Sequence, residues 1–284
     1  MRVSLWLIKF VTEGGPMKAR NLEIGPNANL EGLDLSNLNL SGVILTGANL
    51  TRANLNNTNL TNCVLDWVLS GEILTTPAAL PDGWKIASGH LIGRAANLTA
   101  ADLRNTNLSN TDLSFALMNR ADLSGSTLYC ANLKGTNLSN ANLTNVILSW
   151  VTSGEITGTP DVMPPEWKLV NGYLIGPASN LEGAQLPGAN LVGANLVGAN
   201  LLRANLVGAN LAGADLSDAR MSHADLRQAN LKGVNFSRVA MSSAAIAYLD
   251  VTDAKVPPQA SYERVLDYPA WNYGDTIPTV RVVR

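Results

Sequence analysis

The sequence holds little of what most catalytic sites are made from. Its 284 residues include two histidines, His90 and His223, and two cysteines, Cys63 and Cys130. Two cysteines cannot staple a chain this long into a disulfide scaffold. Neither histidine has a cysteine neighbour at zinc-ligand spacing, so no metal is expected. Charge is scarce as well: 15% of residues are charged, 20 basic against 22 acidic, for a formal net charge of −2. A surface that neutralises phosphates needs clustered Lys and Arg, so direct nucleic-acid binding is not expected. Aromatic residues make up only 5%. No apolar run reaches the roughly 18 residues of a membrane helix, which argues against a membrane partner. The uncharged N-terminal stretch from Val3 to Ile8 is shorter than a secretory core and no small-residue cleavage site follows it. A cytoplasmic location is therefore expected, with Met17 as an alternative start to Met1. There is no Gly-rich phosphate loop ahead of a helix and no serine elbow. No catalytic residue and no cofactor are expected.

What the sequence has is leucine at a period of five. Leucine falls on every fifth position from Leu30 to Leu65. A second register runs from Leu98 to Leu148, broken only by Met118, and a third from Leu181 to Ile246. Together these make 33 repeats, 28 of them with leucine at this phase. Two residues earlier the side chain is small, with Ala at 20 of the 33 positions. The residue just before the leucine is Asn 18 times and Asp 6 times. The unit is Ala-Asn-Leu-x-x, as in Ala189-Asn190-Leu191-Val192-Gly193. A five-residue step rotates about 140° on a helix and gives no stripe. On a flat strand an odd step sends successive leucines to opposite faces. The ladder is buried only if each repeat is a short extended piece followed by a corner. The small residue and the leucine then point in, Asn or Asp points out, and Gly at the last position supplies the permissive φ that a corner needs.

This run resembles the pentapeptide repeat family over about residues 28–250, and its long repeats are similar to cyanobacterial members. The resemblance implies an all-β fold, a right-handed quadrilateral parallel β-helix with four repeats per coil. About eight coils follow, with a core of leucine. The expected layout is an N-terminal lead-in or cap over 1–20, the β-helix over 21–250, and a C-terminal cap over 251–284. In that last segment Ser261 is placed to N-cap a short helical turn. Some family members dimerise through this end, which implies a homodimer as the alternative to a simple lid.

The register is interrupted twice, by matched insertions at 66–97 and 149–180. The first contains Trp67-Val-Leu-Ser-Gly-Glu-Ile73, Trp84-Lys85 and Leu91-Ile-Gly93. The second contains Trp150-Val-Thr-Ser-Gly-Glu-Ile156, Trp167-Lys168 and Leu174-Ile-Gly176. Ile24-Gly25-Pro26 reads as the tail of a third, truncated copy. Ile86 and Leu91, like Leu169 and Leu174, keep the spacing of five, so the coil is expected to continue through each insertion. The Pro-bearing centres, about 75–83 and 157–166, are expected as loops or bent strands, because proline cannot donate to a central ladder. Trp84 and Trp167 are expected against the coil wall beneath them, or alternatively stacked on a sugar ring or a partner.

Two functional classes remain. One is a non-enzymatic scaffold for an unidentified protein partner. Its candidate contact surface is a belt of apolar residues following the leucines, Val192, Val197, Leu202 and Val207, with Trp84 and Trp167 as further candidates. The bland reading of the belt is scattered surface aliphatics, one per face. The other class comes from the resemblance: some pentapeptide repeat proteins mimic duplex DNA and occupy the DNA-binding saddle of type II topoisomerases. Mimicry needs an acidic wall, and the near-neutral repeats here argue against it. Asp102 and Asp122 are expected to stack one coil above the other on a solvated wall. Cys63 is expected to point inward, Cys130 outward at a corner, and His223 at a surface corner.

Overall fold

The computed structural model describes residues 3–5, 22–245 and 253–255. The N-terminal lead-in outside Val3–Leu5 and the C-terminal cap with its Ser261 turn lie outside the described residues. The chain divides into two compact units, one of Met1–Ile147 with Ile156–Met163 and the other of Leu148–Glu155 with Pro164–Arg284.

Within each unit the period of five becomes a rung of twenty. In the first unit Asn29 pairs in parallel with Asn49, Asp34 with Asn54, Asn39 with Asn59 and Ile44 with Val64. In the second, Asn180 pairs with Asn200, Gln185 with Asn205, Asn190 with Asn210 and Asn195 with Asp215. Four corners close each circuit. At each corner the N–H of the small residue donates to the leucine C=O three positions back, as in Ala48 to Leu45 (2.9 Å) and Ala204 to Leu201 (3.0 Å). The residue before the small one has positive φ, whether it is Gly47 (69°) or Arg52 (58°), the demand of the third residue in a type II turn. No leucine of the five-residue phase is more than 2% exposed. Each buried leucine contributes about 1.5–3 kcal/mol, so these columns dominate the stability of both units.

The insertions differ from the sequence expectation. The coil step lengthens from 20 to 28 residues at both, with Leu69 pairing with Asn97 and Thr152 with Asn180. The extra residues form antiparallel hairpins rather than a further stretch of coil. With β1 (Val3–Leu5) and β2 (Leu22–Ile24) nearest the N-terminus, the first hairpin is β3 (Lys85–Ala87) with β4 (His90–Ile92). The second is β5 (Lys168–Val170) with β6 (Tyr173–Ile175). Ile86 and Leu91 are cross-strand partners, as are Leu169 and Leu174. Their separation of five comes from a two-residue turn, not from the repeat. Ser88-Gly89 (φ 47° and 73°) and Asn171-Gly172 (φ 49° and 78°) have positive φ at both turn residues, as a type I′ turn requires.

The Pro-bearing centres are also corrected: they stay on the ladder. Ala79 pairs with Asn59, and Thr157 and Val162 pair with Asn137 and Asn142. Pro77 and Pro160 are tolerated because each sits between bonded neighbours. Thr76 C=O accepts the Asn57 N–H and Ala78 N–H donates to Thr58 C=O. Likewise Thr159 C=O accepts from Asn140 and Asp161 N–H donates to Ala141. The truncated third copy is visible at the other end, where β1 pairs antiparallel with β2, Val3 opposite Ile24. A segment upstream of Met17 thus takes part in the fold.

Candidate functional site

The walls are built from the outward Asn and Asp. Each side-chain Oδ1 accepts the backbone N–H two residues on, as at Asn49 with Thr51 (3.0 Å) and Asp215 with Ser217 (2.8 Å). This is an Asx turn, which holds the corner locally. Many of these Asn side chains also donate Nδ2–H to the residue one rung below. Asn54 reaches Asp34 (2.9 Å), Asn142 reaches Asp122 (3.1 Å) and Asn235 reaches Asp215 (3.0 Å). The outward polar column is therefore bonded along the chain and across it.

The four belt residues fall on four successive walls of the second unit, because each is one corner beyond the last. Val192 is 44% exposed; Val197, Leu202 and Val207 are half-buried. Lys168 of β5 donates Nζ–H to the Val192 C=O (2.9 Å), and Asn195 donates Nδ2–H to Glu166 (2.8 Å). The second hairpin is thus tied to the Val192 wall.

Trp84 and Trp167 serve the hairpins. Trp167 is 9% exposed, and Trp84 is half-buried against the core cluster of the first unit. A Cβ on Gly93 would lie 2.7 Å from Trp84 Cε2, and one on Gly176 2.6 Å from Trp167 Cε2. One face of each indole is therefore occupied by a glycine just after the second hairpin strand. A second aromatic–glycine contact accompanies each: His90 lies over Gly71, and Tyr173 over Gly154. Ser70 Oγ accepts the Leu91 N–H (2.9 Å), and Ser153 Oγ accepts the Leu174 N–H (3.0 Å). The matched Ser-Gly and Ile-Gly pairs of the two insertions have the same physical origin.

A groove opens beside the first hairpin, lined by Glu72, Leu74, His90, Asp102 and Arg104 among others. His90 Nδ1 is 2.7 Å from the Ser70 C=O, and burial pushes its pKa down. Sequence reasoning passed over this place. The available signal was that Leu74 and His90 stand where the second insertion has Thr157 and Tyr173.

Charges near these walls neutralise one another. Arg104 binds Asp102 (2.6 Å) and lies 3.9 Å from Asp122, and Arg52 binds Glu72 (2.9 Å). In the second unit Arg227 binds Asp225 and Arg238 binds Asp218, both at 2.6 Å. The Arg104 side-chain and backbone hydrogen bonds bring Asp102 down to about 2. Hydrogen bonds from Arg238 and Arg227 lower Asp218 and Asp225. Asp102 does stack below Asp122, as a parallel pair. Cys63 is buried, and its thiol donates to the Leu40 C=O (3.0 Å); burial raises its pKa. Cys130 and His223 are exposed at corners. Among the described residues no helix is long and apolar enough to cross a membrane, and no group of three or more His, Cys, Asp or Glu could hold a metal ion.

The family described as pentapeptide repeats matches in 8 copies, over residues 27–66, 96–129, 106–145, 178–211 and 209–244, more than half of the chain. Among curated proteins no match is found. Similar solved structures include HetL, a pentapeptide repeat protein involved in heterocyst differentiation regulation from the cyanobacterium Nostoc. It is 25% identical, covers 81% of this chain and 87% of its own, and has a TM-score of 0.23. A pentapeptide repeat protein from the Arabidopsis thaliana thylakoid lumen is 22% identical, covering 57% and 74%, with a TM-score of 0.22. QnrB1, a plasmid-mediated fluoroquinolone resistance protein, is 13% identical, covering 78% and 85%, with a TM-score of 0.25.

Proposed function

Because the chain belongs to the pentapeptide repeat family, we propose that it is a non-enzymatic scaffold acting through contact with a protein partner. We read its twenty-residue rungs as coils of a right-handed quadrilateral β-helix. The observation that carries the functional reading is the doubly bonded outward column. Asn142, for example, accepts from the Thr144 N–H (3.0 Å) and donates to Asp122 (3.1 Å). Side chains held at both ends have lost their rotamer freedom on folding, so a partner binding to such a wall orders little more. Val192 is the belt residue this reading assigns to contact, since it is the most exposed of the four and its carbonyl is pinned by Lys168.

The charge arrangement weighs against DNA mimicry. An acidic wall draws a DNA-binding groove through uncompensated field. Here Asp102, Asp218 and Asp225 each hold an arginine.

The test is affinity capture with the full chain from its native organism, repeated with Val192→Ser, alongside a gyrase supercoiling assay. The scaffold reading expects a reproducible protein partner, weakened by Val192→Ser, and unchanged supercoiling. Inhibition of gyrase at stoichiometric protein would replace it with the DNA-mimic reading.

A further inference from the structure

Above the first hairpin the ladder of the first unit is interrupted: among the described residues Asp102, Asn107 and Asp112 pair only with the rung above them. At Asp122 the backbone N–H donates to Ala101 C=O (3.0 Å) and the C=O accepts from Leu103 N–H (2.8 Å). One rung below, the same two groups of Asp102 face the segment around Leu74 and have no partner among the described residues. The counterpart of Asp102 beside the second hairpin, Gln185, also lacks a ladder partner below, but its N–H donates to the Tyr173 hydroxyl (3.1 Å), where the first hairpin has His90. At Thr157, the counterpart of Leu74, the ladder is intact: Thr157 N–H donates to Thr136 C=O and Thr157 C=O accepts from Leu138 N–H, both at 3.0 Å. At Leu74 the equivalent donor, Leu55 N–H, goes instead to Thr75 Oγ1 (2.8 Å). Leu74 is left out of the ladder and its side chain is 93% exposed.

Leu74 and Asp102 both line the open groove of about 660 Å³, with the Ser88-Gly89 turn forming part of its boundary. An unpaired donor and acceptor on one extended residue are what an added strand recognises; apolar surface beside them selects the side chain. The groove's charges are already matched, Glu72 by Arg52 and Asp102 by Arg104. A charged ligand would find no uncompensated counter-charge there.

We propose that this groove docks an uncharged, extended polypeptide segment of a protein partner by strand addition. The segment's main chain pairs with Asp102 and an aliphatic side chain covers Leu74. This rests on the reading of the chain as a protein-contact scaffold and adds the place and the chemistry of one contact.

The experiment uses the full chain and a displayed random heptapeptide library as probe. First, amide hydrogen exchange is followed by NMR in the free protein; Asp102 exchanges fast and Asp122 slowly. Panning then enriches peptides rich in Leu, Ile or Val and free of charged residues. Their synthetic forms slow Asp102 exchange at least tenfold, and Leu74→Asp weakens their binding at least tenfold. Leu74 is so exposed that this variant keeps the fold, which the Asp122 exchange rate verifies. The proposal is overturned if Asp102 is already as protected as Asp122, if nothing enriches, if the enriched peptides are charged, or if Leu74→Asp binds them unchanged. A native partner captured equally by the wild type and Leu74→Asp, with no peptide enriched, removes this groove and leaves the scaffold reading standing. Enriched peptides that meet the criteria, with no native partner captured, keep the groove and remove support from the wider reading.

Discussion

The indole of Trp84 occupies the space that a Cβ on Gly93 would need, and Trp167 does the same at Gly176. Each pair links the residue just before a hairpin's first strand to the residue just after its second. The contact therefore clamps the base of the hairpin, where the coil resumes its five-residue step.

Gly93→Ala tests the clamp. The added methyl would lie 2.7 Å from Trp84 Cε2 and 2.8 Å from Cε3, well inside contact distance. Overpacking of this kind costs about 1–3 kcal/mol. Chemical denaturation should show that loss for Gly93→Ala and a similar one for Gly176→Ala. In a Trp84→Ala background the Gly93→Ala cost should shrink to a fraction of its value, because the clash is gone. Equal costs in both backgrounds would mean that the ring is not what excludes the methyl.

How far the sequence foretold this architecture depends on the range of the interaction. The inward columns were legible because the same local choice recurs across 33 repeats, with leucine at its phase in 28 of them. The Asx turn at Asn49 was legible for the same reason: its partner is two residues away. The cross-rung bond from Asn54 to Asp34 was not, because it joins residues twenty apart and nothing in either residue's surroundings announces it. The hairpins were missed for a different reason. Ile86 and Leu91 are five apart by coincidence of hairpin geometry, and this spacing imitated the repeat. The Asn171-Gly172 dipeptide carried the opposing signal, a two-residue turn between apolar runs, and it outweighs spacing. The groove was not legible, because the free backbone groups of Asp102 are a property of the rung below, not of Asp102 itself.

Leu196→Lys and Asn195→Ser separate core from wall at adjacent positions. Leu196 is fully buried, so the substitution removes about 1.5–3 kcal/mol of burial and places an unpaired ammonium in the core, a cost of several kcal/mol more. The protein should be recovered as aggregate or with a much lowered Tm. Asn195 accepts from Val197 N–H (3.1 Å) and donates to Glu166 at the surface. Serine retains a turn acceptor, so the loss should stay at about 1 kcal/mol. A Leu196→Lys protein melting like the wild type would contradict the burial of the leucine column.

Asp102 supplies a pH test with a defined sign. Its folded-state pKa is depressed to about 2 by Arg104, below the ordinary carboxylate value of about 3.9. A depressed carboxylate stabilises the fold at pH values above its unfolded pKa, and that contribution is lost as pH falls through about 2. Arg104→Gln should raise Asp102 toward the ordinary range, with the backbone N–H at position 104 still holding it somewhat low, read by NMR titration of its side-chain carbonyl carbon. The Tm difference between wild type and Arg104→Gln should be small, because the pair is at the surface and salt screens it. It should be present at pH 6, shrink as pH falls through 2 and vanish by about pH 1, below both pKa values. A full difference that persists at about pH 1 would assign the arginine a role other than holding Asp102.

The two thiols should separate by rate in a single experiment. Cys63 is buried in the first unit, its thiol donates to Leu40 C=O, and burial raises its pKa. Both effects act against the thiolate, which is the reactive form. Cys130 is exposed at a corner beside Tyr129, whose pKa is raised by its hydrogen bond with the Cys130 thiol. In native protein a disulfide-exchange reagent at pH 8 should therefore modify one equivalent, and Cys130→Ser should abolish that fast phase. The second equivalent should appear only when the rung opens, so its rate should follow denaturant concentration in parallel with unfolding. If Cys63 reacted at the rate of Cys130 in native protein, the small-residue column would have to be open to solvent at that rung. The Ala column that continues it would then lose its assignment to the interior.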